Sequence, residues 1–268
     1  MRRTKRNANK MIYETERFSN IAALLDTCDE REPLIWAKNN REREAGWAGE
    51  NYKDARELLI HGSAEDVKKL TPKETRAAES IRPKTRAAIA GYAPIVPRSI
   101  IGIPKSMKRR ERVKVNSRVL TLAVDIGYSC GNSAERIARR GRELCELIQG
   151  AELAGYRIAL DVLFTVQREE PYADEKNNKH VYTVRLCIKR AEQPLDIKHV
   201  CYPLIHASML RQLFFDWYER YPNAEYYFGY GTCLCGESEA WKSGVLSHIL
   251  KENERYIDLM ESDFSKVL

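Results

Sequence analysis

Apolar residues fall into two rhythms along this chain. From Val119 to Val124 (Val-Leu-Thr-Leu-Ala-Val), and again from Tyr156 to Val166, they run almost unbroken. That is the pattern of strands covered on both faces of a parallel sheet. Between those runs Ile137, Gly141, Leu144, Ile148 and Ala151 recur at helical spacing and Gly155 follows, which predicts a helix over Ser133–Ala154. A strand–helix–strand unit of this kind takes a right-handed crossover with its strands parallel. From Val181 to Ile188 the rhythm becomes strict alternation, with Tyr182, Val184, Leu186 and Ile188 on one side and Thr183, Arg185 and Cys187 on the other. Alternation predicts one wet face, hence an antiparallel edge strand joined to its predecessor as a hairpin.

Further along, Pro203 precedes a predicted helix over Leu204–Tyr221, with Leu210, Leu213, Phe214, Trp217 and Tyr221 on its buried side. A fourth strand is predicted over Glu225–Tyr230 and a long final helix over Glu239–Met260. The fold class expected is therefore α/β: a doubly wound, mostly parallel sheet with an antiparallel edge strand, preceded by a helical N-terminal region. Residues 1–13 read as a basic disordered arm and 14–90 as helical, with Gly62 suited to end a helix over Tyr52–Ile60. Ser63 opens a capping pattern with Asp66, and Thr71-Pro72-Lys73-Glu74 opens another helix. These helices carry little apolar surface each, so they are expected to pack on the main domain, anchored by Trp36 and Trp47. Residues 91–112 form a proline-rich, basic connector, its isoleucines expected to lie against the domain that spans 113–268.

A chain of 268 residues, 43% hydrophobic and 31% charged, can bury a sizeable core without staples. Its apolar runs fall well short of the ~20 residues of a membrane span. The basic start lacks an apolar region after it, so a cytoplasmic protein with no membrane partner is expected, in the host cytoplasm if it is phage-encoded. The seven cysteines show no disulfide framework, and Cys233-Leu-Cys235 has no second pair to complete a zinc site.

Charge changes the picture more. The net charge is +7, yet Arg82–Arg118 alone holds eleven Lys or Arg and one acid, a local excess of +10, which leaves the rest of the chain at −3. Lys105, Lys108, Arg109, Arg110 and Arg112 form the densest cluster, and Arg136, Arg139 and Arg140 share a helix face further on. Such a segment is where nucleic acid or another polyanion would dock, although no helix-turn-helix, RNA-recognition or finger pattern accompanies it. Asp161, mid-strand, is expected to be paired with an arginine such as Arg185 rather than catalytic. No nucleophile–base pair or phosphate loop stands out, since no Gly-Lys-Ser/Thr follows Gly127 and Gly131.

The remaining chemistry sits at the end of the first strand, where Asp125 precedes Gly127, Ser129 and Ser133. In open parallel sheets ligands lie beyond the carboxyl ends of strands, and an acid with hydroxyls suits a hard cation such as Mg²⁺. From Leu120 to Val162 the chain resembles the von Willebrand A family, with its first strand, metal loop, first helix and second strand. That resemblance implies a divalent ion held by Asp125 and Ser129, while Gly127 replaces the family's middle serine. Gly229-Tyr230-Gly231 stands where a Thr-Asp-Gly would be. The plainer reading of Asp125 and Ser129 is that they fix the turn and cap the helix. Trp47-Ala48-Gly49, Ile103 to Arg110 and the Asp-x-Gly-Tyr-Ser turn also resemble a group of proteins encoded by phages and mobile elements. The expectation is a non-enzymatic interaction protein that contacts a protein partner and nucleic acid or an acidic surface, with no cofactor beyond a weakly bound Mg²⁺. The alternative is a Mg²⁺- or Mn²⁺-dependent enzyme or metal-switched binder acting through Asp125 and Ser129.

Overall fold

The computed structural model describes residues 11–34, 37, 40–42, 45–72, 85–110, 118–169, 179–222, 232–233 and 239–267. Its main sheet is built as the apolar runs require. Strand β5 (Val119–Asp125) lies parallel to β6 (Arg157–Glu169), and β7 (Lys179–Lys189) returns antiparallel to β6. Helix α6 (Ala134–Leu153) joins β5 to β6. The Ser133 side chain caps it by accepting from the Arg136 amide, and Gly155 turns the chain out of it at a φ of 96°. All five residues of its apolar stripe are buried.

Four expectations are corrected by the sheet. Strand β7 is not an edge, because β1 (Met11–Phe18) pairs parallel along its outer side; the chain therefore forms a strand where a disordered arm and a helix were expected. The face of β7 expected to be wet is buried at Thr183 and Arg185, because helix α9 (Glu239–Ile249) covers it. That helix ends at Ile249, and the chain continues as β9 (Glu254–Asp258) parallel to β5, where the long final helix was expected to run on. Pro203 lies inside helix α7 (Ile197–Ile205), which is followed by a wide π-type turn over Met209–Phe214 and the short α8 (Phe215–Tyr218). The expected fourth strand, Glu225–Tyr230, lies outside the described residues, as do Trp36 and the helix start at Lys73. The sheet order is β1-β7-β6-β5-β9, with the two-residue β8 (Thr232–Cys233) against the far end of β6.

Three layers result. On one face Leu122, Val124, Leu160, Val162, Val184 and Leu186 meet α6, α7 and the 209–218 segment; on the other Ala123, Leu163 and Val181 meet Val245 and Ile249 of α9. Helices α1 (Ile21–Glu30) and α3 (Tyr52–His61) send Leu24, Leu25, Ala55 and Leu59 into the first of these cores. The N-terminal helices thus pack on the domain as expected, and one core holds both. The shorter α2 (Ala45–Ala48) and α4 (Ala64–Lys68) flank α3, and Ser63 caps α4 through the Asp66 amide. Asp161 is paired as expected: Arg185 Nε donates to its Oδ2 at 2.5 Å, and the same guanidinium reaches Glu254 at the head of β9. A buried guanidinium shared by two carboxylates ties β6, β7 and β9 together under α9.

Residues 85–110 stand apart. They form a second sheet, β2 (Thr85–Ala88), β4 (Met107–Arg110) and β3 (Ala93–Pro94), with β4 in the middle and both ladders antiparallel. The loop from β3 to β4 contains the single-turn helix α5 (Val96–Ile100) and is closed by the Ile95 amide on the Ser106 carbonyl at 2.6 Å. None of these residues joins either hydrophobic core, and Ile100, Ile101 and Ile103 are exposed. The connector's isoleucines therefore do not lie against the domain. Its prolines and glycines fold it into a hairpin of its own.

Candidate functional site

Two features stand out: the rim where β5 and β9 end, and the basic sheet. At the rim the order of the sheet reverses. The chain leaves β5 through α6 on one face toward β6, and comes back to β9, on the other side of β5, from α9 on the opposite face. Register puts Asp125 directly beside Asp258, so the two parallel strands end on neighbouring carboxyl groups.

Each carboxyl is largely turned inward. Asp125 Oδ1 accepts from the Gly127 amide at 2.7 Å and Oδ2 from the Tyr256 hydroxyl at 3.1 Å. A Cβ on Gly127 would stand 2.9 Å from Asp125 Oδ1 and 3.3 Å from Phe164, so a serine at position 127 does not fit while the carboxyl folds back. Burial, and then the neighbouring Asp258 charge, push Asp125 up to about 7. Asp258 Oδ1 accepts from the amides of Met260 and Glu261, and burial raises its pKa too. Its Oδ2 is buried and has no hydrogen-bond partner among the described residues. Beside it a crevice of about 720 Å³ is lined by Lys242, Ser243, Ser247, Tyr256, Asp258 and Ser262.

Ser129 is exposed on the turn after β5, whereas Asp125 is buried. The Ser129 hydroxyl accepts from the Gly131 amide at 3.4 Å, and Ser133 rather than Asp125 caps α6. The loop between them is held from outside: Arg211 donates to the carbonyls of Trp47 and Asn132 at 2.6 Å, with its guanidinium 4.4 Å from the centre of the Trp47 ring. Trp47 is the expected anchor in that sense, since its ring nitrogen donates to the Cys130 carbonyl at 3.4 Å. Among the described residues no group of three or more His, Cys, Asp or Glu is arranged to hold a metal ion. Each Asp125 oxygen already accepts one hydrogen bond, and the unpartnered Oδ2 of the neighbouring Asp258 is buried.

The basic residues divide into two kinds. Arg140 is tied down: its guanidinium donates to the carbonyl of Leu259 and to Glu143, and lies 3.9 Å from the Phe264 ring centre. It holds the segment after β9 onto α6. Arg136 is exposed and 3.9 Å from Glu261; Arg139 is exposed. Lys108, Arg109 and Arg110 are exposed on the small sheet and Lys105 on the loop before β4, while Arg112 lies outside the described residues. Register sets Arg86 directly opposite Arg109, and Arg110 lies 5.4 Å from the Tyr92 ring centre. No Asp or Glu occurs from Thr85 to Arg110, against six Lys or Arg. Arg86 and Arg109 thus present two like charges side by side on one face of the ladder. Asp258 and Arg86 carry no signal in the sequence that singles them out. Each becomes a site residue through strand register, which spacing along the chain does not reveal.

Among the described residues no helix is long and apolar enough to cross a membrane. No curated protein and no solved structure matches the chain. A family model does match, over residues 6–264, so the N-terminal helices and both sheets fall within one matched unit. The chain belongs to the family described as a domain of unknown function, DUF7192.

Proposed function

We propose that this is a non-enzymatic interaction protein of a phage or mobile element that grips nucleic acid through the sheet of residues 85–110. Its von Willebrand A-like body then carries the bound nucleic acid to a protein partner at the strand-end rim. The observation that carries the reading is the facing pair Arg86 and Arg109 on an acid-free sheet outside the core. Lysines and arginines that neutralise phosphates release counterions, so binding falls steeply with salt. Electrophoretic mobility shift against duplex and single-stranded oligonucleotides over a salt series tests this, comparing wild type with a variant carrying Arg86, Lys108, Arg109 and Arg110 changed to Ala. Weaker binding by the variant is expected, with a salt slope shallower by about one for each phosphate it no longer neutralises. Unchanged or salt-insensitive binding, or none by the wild type, overturns the reading; a shift seen only with acidic proteins would redirect it to an acidic partner.

The alternative, a Mg²⁺- or Mn²⁺-dependent enzyme or metal-switched binder at Asp125 and Ser129, has one observation in its favour: the unpartnered Asp258 oxygen beside Asp125. Titration calorimetry with either ion on wild type and Asp125→Ala decides it. Binding tighter than about millimolar that is lost in the variant supports that reading, and heat-silent titration removes it.

A further inference from the structure

The small sheet ends in a tip of unusual composition. Between Ile95 and Ser106, whose backbone bond closes the hairpin, stand Val96, Ile100, Ile101 and Ile103 together with Arg98 and Lys105. Ile100 and Ile101 are 80% and 72% exposed and Ile103 43%, and none of them meets a hydrophobic core. A soluble chain leaves so many branched aliphatic side chains together in water where something else covers them. The tip is nevertheless built firmly. Pro97 starts the helical turn of α5, the Ile103 amide donates to the Arg98 carbonyl at 3.0 Å, and Gly102 supplies the turn at a φ of 74°. The isoleucines are thus presented on an ordered loop.

Charge selects the occupant. The sheet carries Arg86, Lys108, Arg109 and Arg110, and Arg98 and Lys105 flank the isoleucines; no Asp or Glu occurs in the sequence from Thr85 to Arg110. An anionic partner that also offers apolar surface is required. A nucleic-acid duplex satisfies both, because phosphates line its outside and flat base faces stack inside. Proteins that bend duplexes use this combination: basic residues track the phosphates while aliphatic or proline side chains enter between base steps and unstack them.

Resting on the nucleic-acid reading above, we infer that the β3–β4 hairpin is a wedge, and that Ile100, Ile101 and Ile103 enter between base pairs of a duplex and bend it. The strands Met107–Arg110 and Thr85–Ala88 lie along the flanking phosphates. Unstacking is then the work of the tip, and affinity mainly that of the strands.

Bending is measured on the full chain by fluorescence energy transfer between the ends of a short DNA duplex, with affinity from mobility shift on the same duplex. Wild type is expected to bend it by roughly 20–90°. A variant with Ile100, Ile101 and Ile103 changed to Ser is expected to leave the duplex straight while affinity falls by less than about tenfold, since phosphate neutralisation dominates binding. These side chains are exposed, so the variant should keep the wild-type melting temperature, checked alongside. Wild-type binding without bending, or equal bending by the serine variant, overturns the wedge and leaves the nucleic-acid reading intact. Absence of binding to any nucleic acid overturns both. Preference for a single strand of the same sequence, binding to anionic vesicles in place of the duplex, or self-association abolished in the serine variant would each assign the tip elsewhere and overturn the wedge.

Discussion

Among single residues, ionisable groups are held either by partners or by burial, and the two leave opposite signatures in pH. His206 ends α7 between two acids: Nδ1 lies 2.7 Å from Glu50 Oε1 and Nε2 2.6 Å from Asp66 Oδ2. Burial opposes its charge, but the bonds to Asp66 and Glu50 outweigh that and lift it to about 9. A histidine raised in the folded state contributes its stability in full below about 6.5, its unfolded value, and loses it as pH climbs through about 9. Between pH 7 and 9.5 the wild type should lose on the order of 2–3 kcal/mol from this clamp, and His206→Gln should abolish that slope in thermal melts. Burial works against the Glu50 and Asp66 charges too, but the imidazolium holds both carboxyls below their usual range, so the same clamp also weakens at the acid end.

Asp125 is the contrary case. Its raised pKa means that the folded state favours the proton, so this group supports folding below about 4 and that support is gone as pH rises through about 7. If the carboxyl serves the turn, Asp125→Asn keeps an acceptor for the Gly127 amide and should be at least as stable as wild type at pH 8, with a flatter profile between pH 4 and 7. Melts across that range check it. A loss of several kcal/mol at pH 8 would instead mean that the charge itself is needed there, as a bound cation would require.

Between elements, the tightest approach is that of α6 and α7. A Cβ added to Gly141 would stand 2.0 Å from the Leu204 carbonyl oxygen, which is backbone and cannot swing aside. In a free helix Gly→Ala stabilises by about 1 kcal/mol; here the two helices must part, and overpacking of this kind costs about 1–3 kcal/mol or more. Gly141→Ala is therefore expected to destabilise on balance, read as a lower midpoint in urea. In the sequence Gly141 reads only as a member of the apolar stripe of α6. That helix and strands β5, β6 and β7 are closely legible there, because α6 and β7 keep a clear period and β5 and β6 are nearly unbroken apolar runs. Strands β1 and β9 are not: their patterns, Met-Ile-Tyr-Glu-Thr-Glu-Arg-Phe and Glu-Arg-Tyr-Ile-Asp, carry charges at strand positions. Those charges find partners across the fold, where Glu16 binds Arg31 and Trp217 and Glu254 binds Arg185.

Over the molecule as a whole, one body holds the core and one sheet does not share it. Phe18, Leu59, Ile137, Val184, Trp217 and Phe264 all belong to a single cluster drawn from both ends of the chain, while residues 85–110 contribute nothing to it. Replacing 85–110 with a flexible linker should leave the melting of the body within about 0.5 kcal/mol of wild type, as for changes away from the core, while removing nucleic-acid binding. Calorimetry together with mobility shift measures both.

Local pattern was enough to specify the α/β class, the central strand–helix–strand unit, the acid at the end of β5, the Asp161–Arg185 pair and the segment in which positive charge is concentrated. Each of these depends on composition or on a short period, which the chain displays over a few neighbouring residues. Folding had to settle that β1 and β9 flank the sheet, that Asp258 stands beside Asp125, that Arg86 faces Arg109, and that the isoleucines of the connector point away from the core. Those facts are set by register and by which surfaces run out of partners, and pairing between distant segments leaves no mark in the spacing of either one.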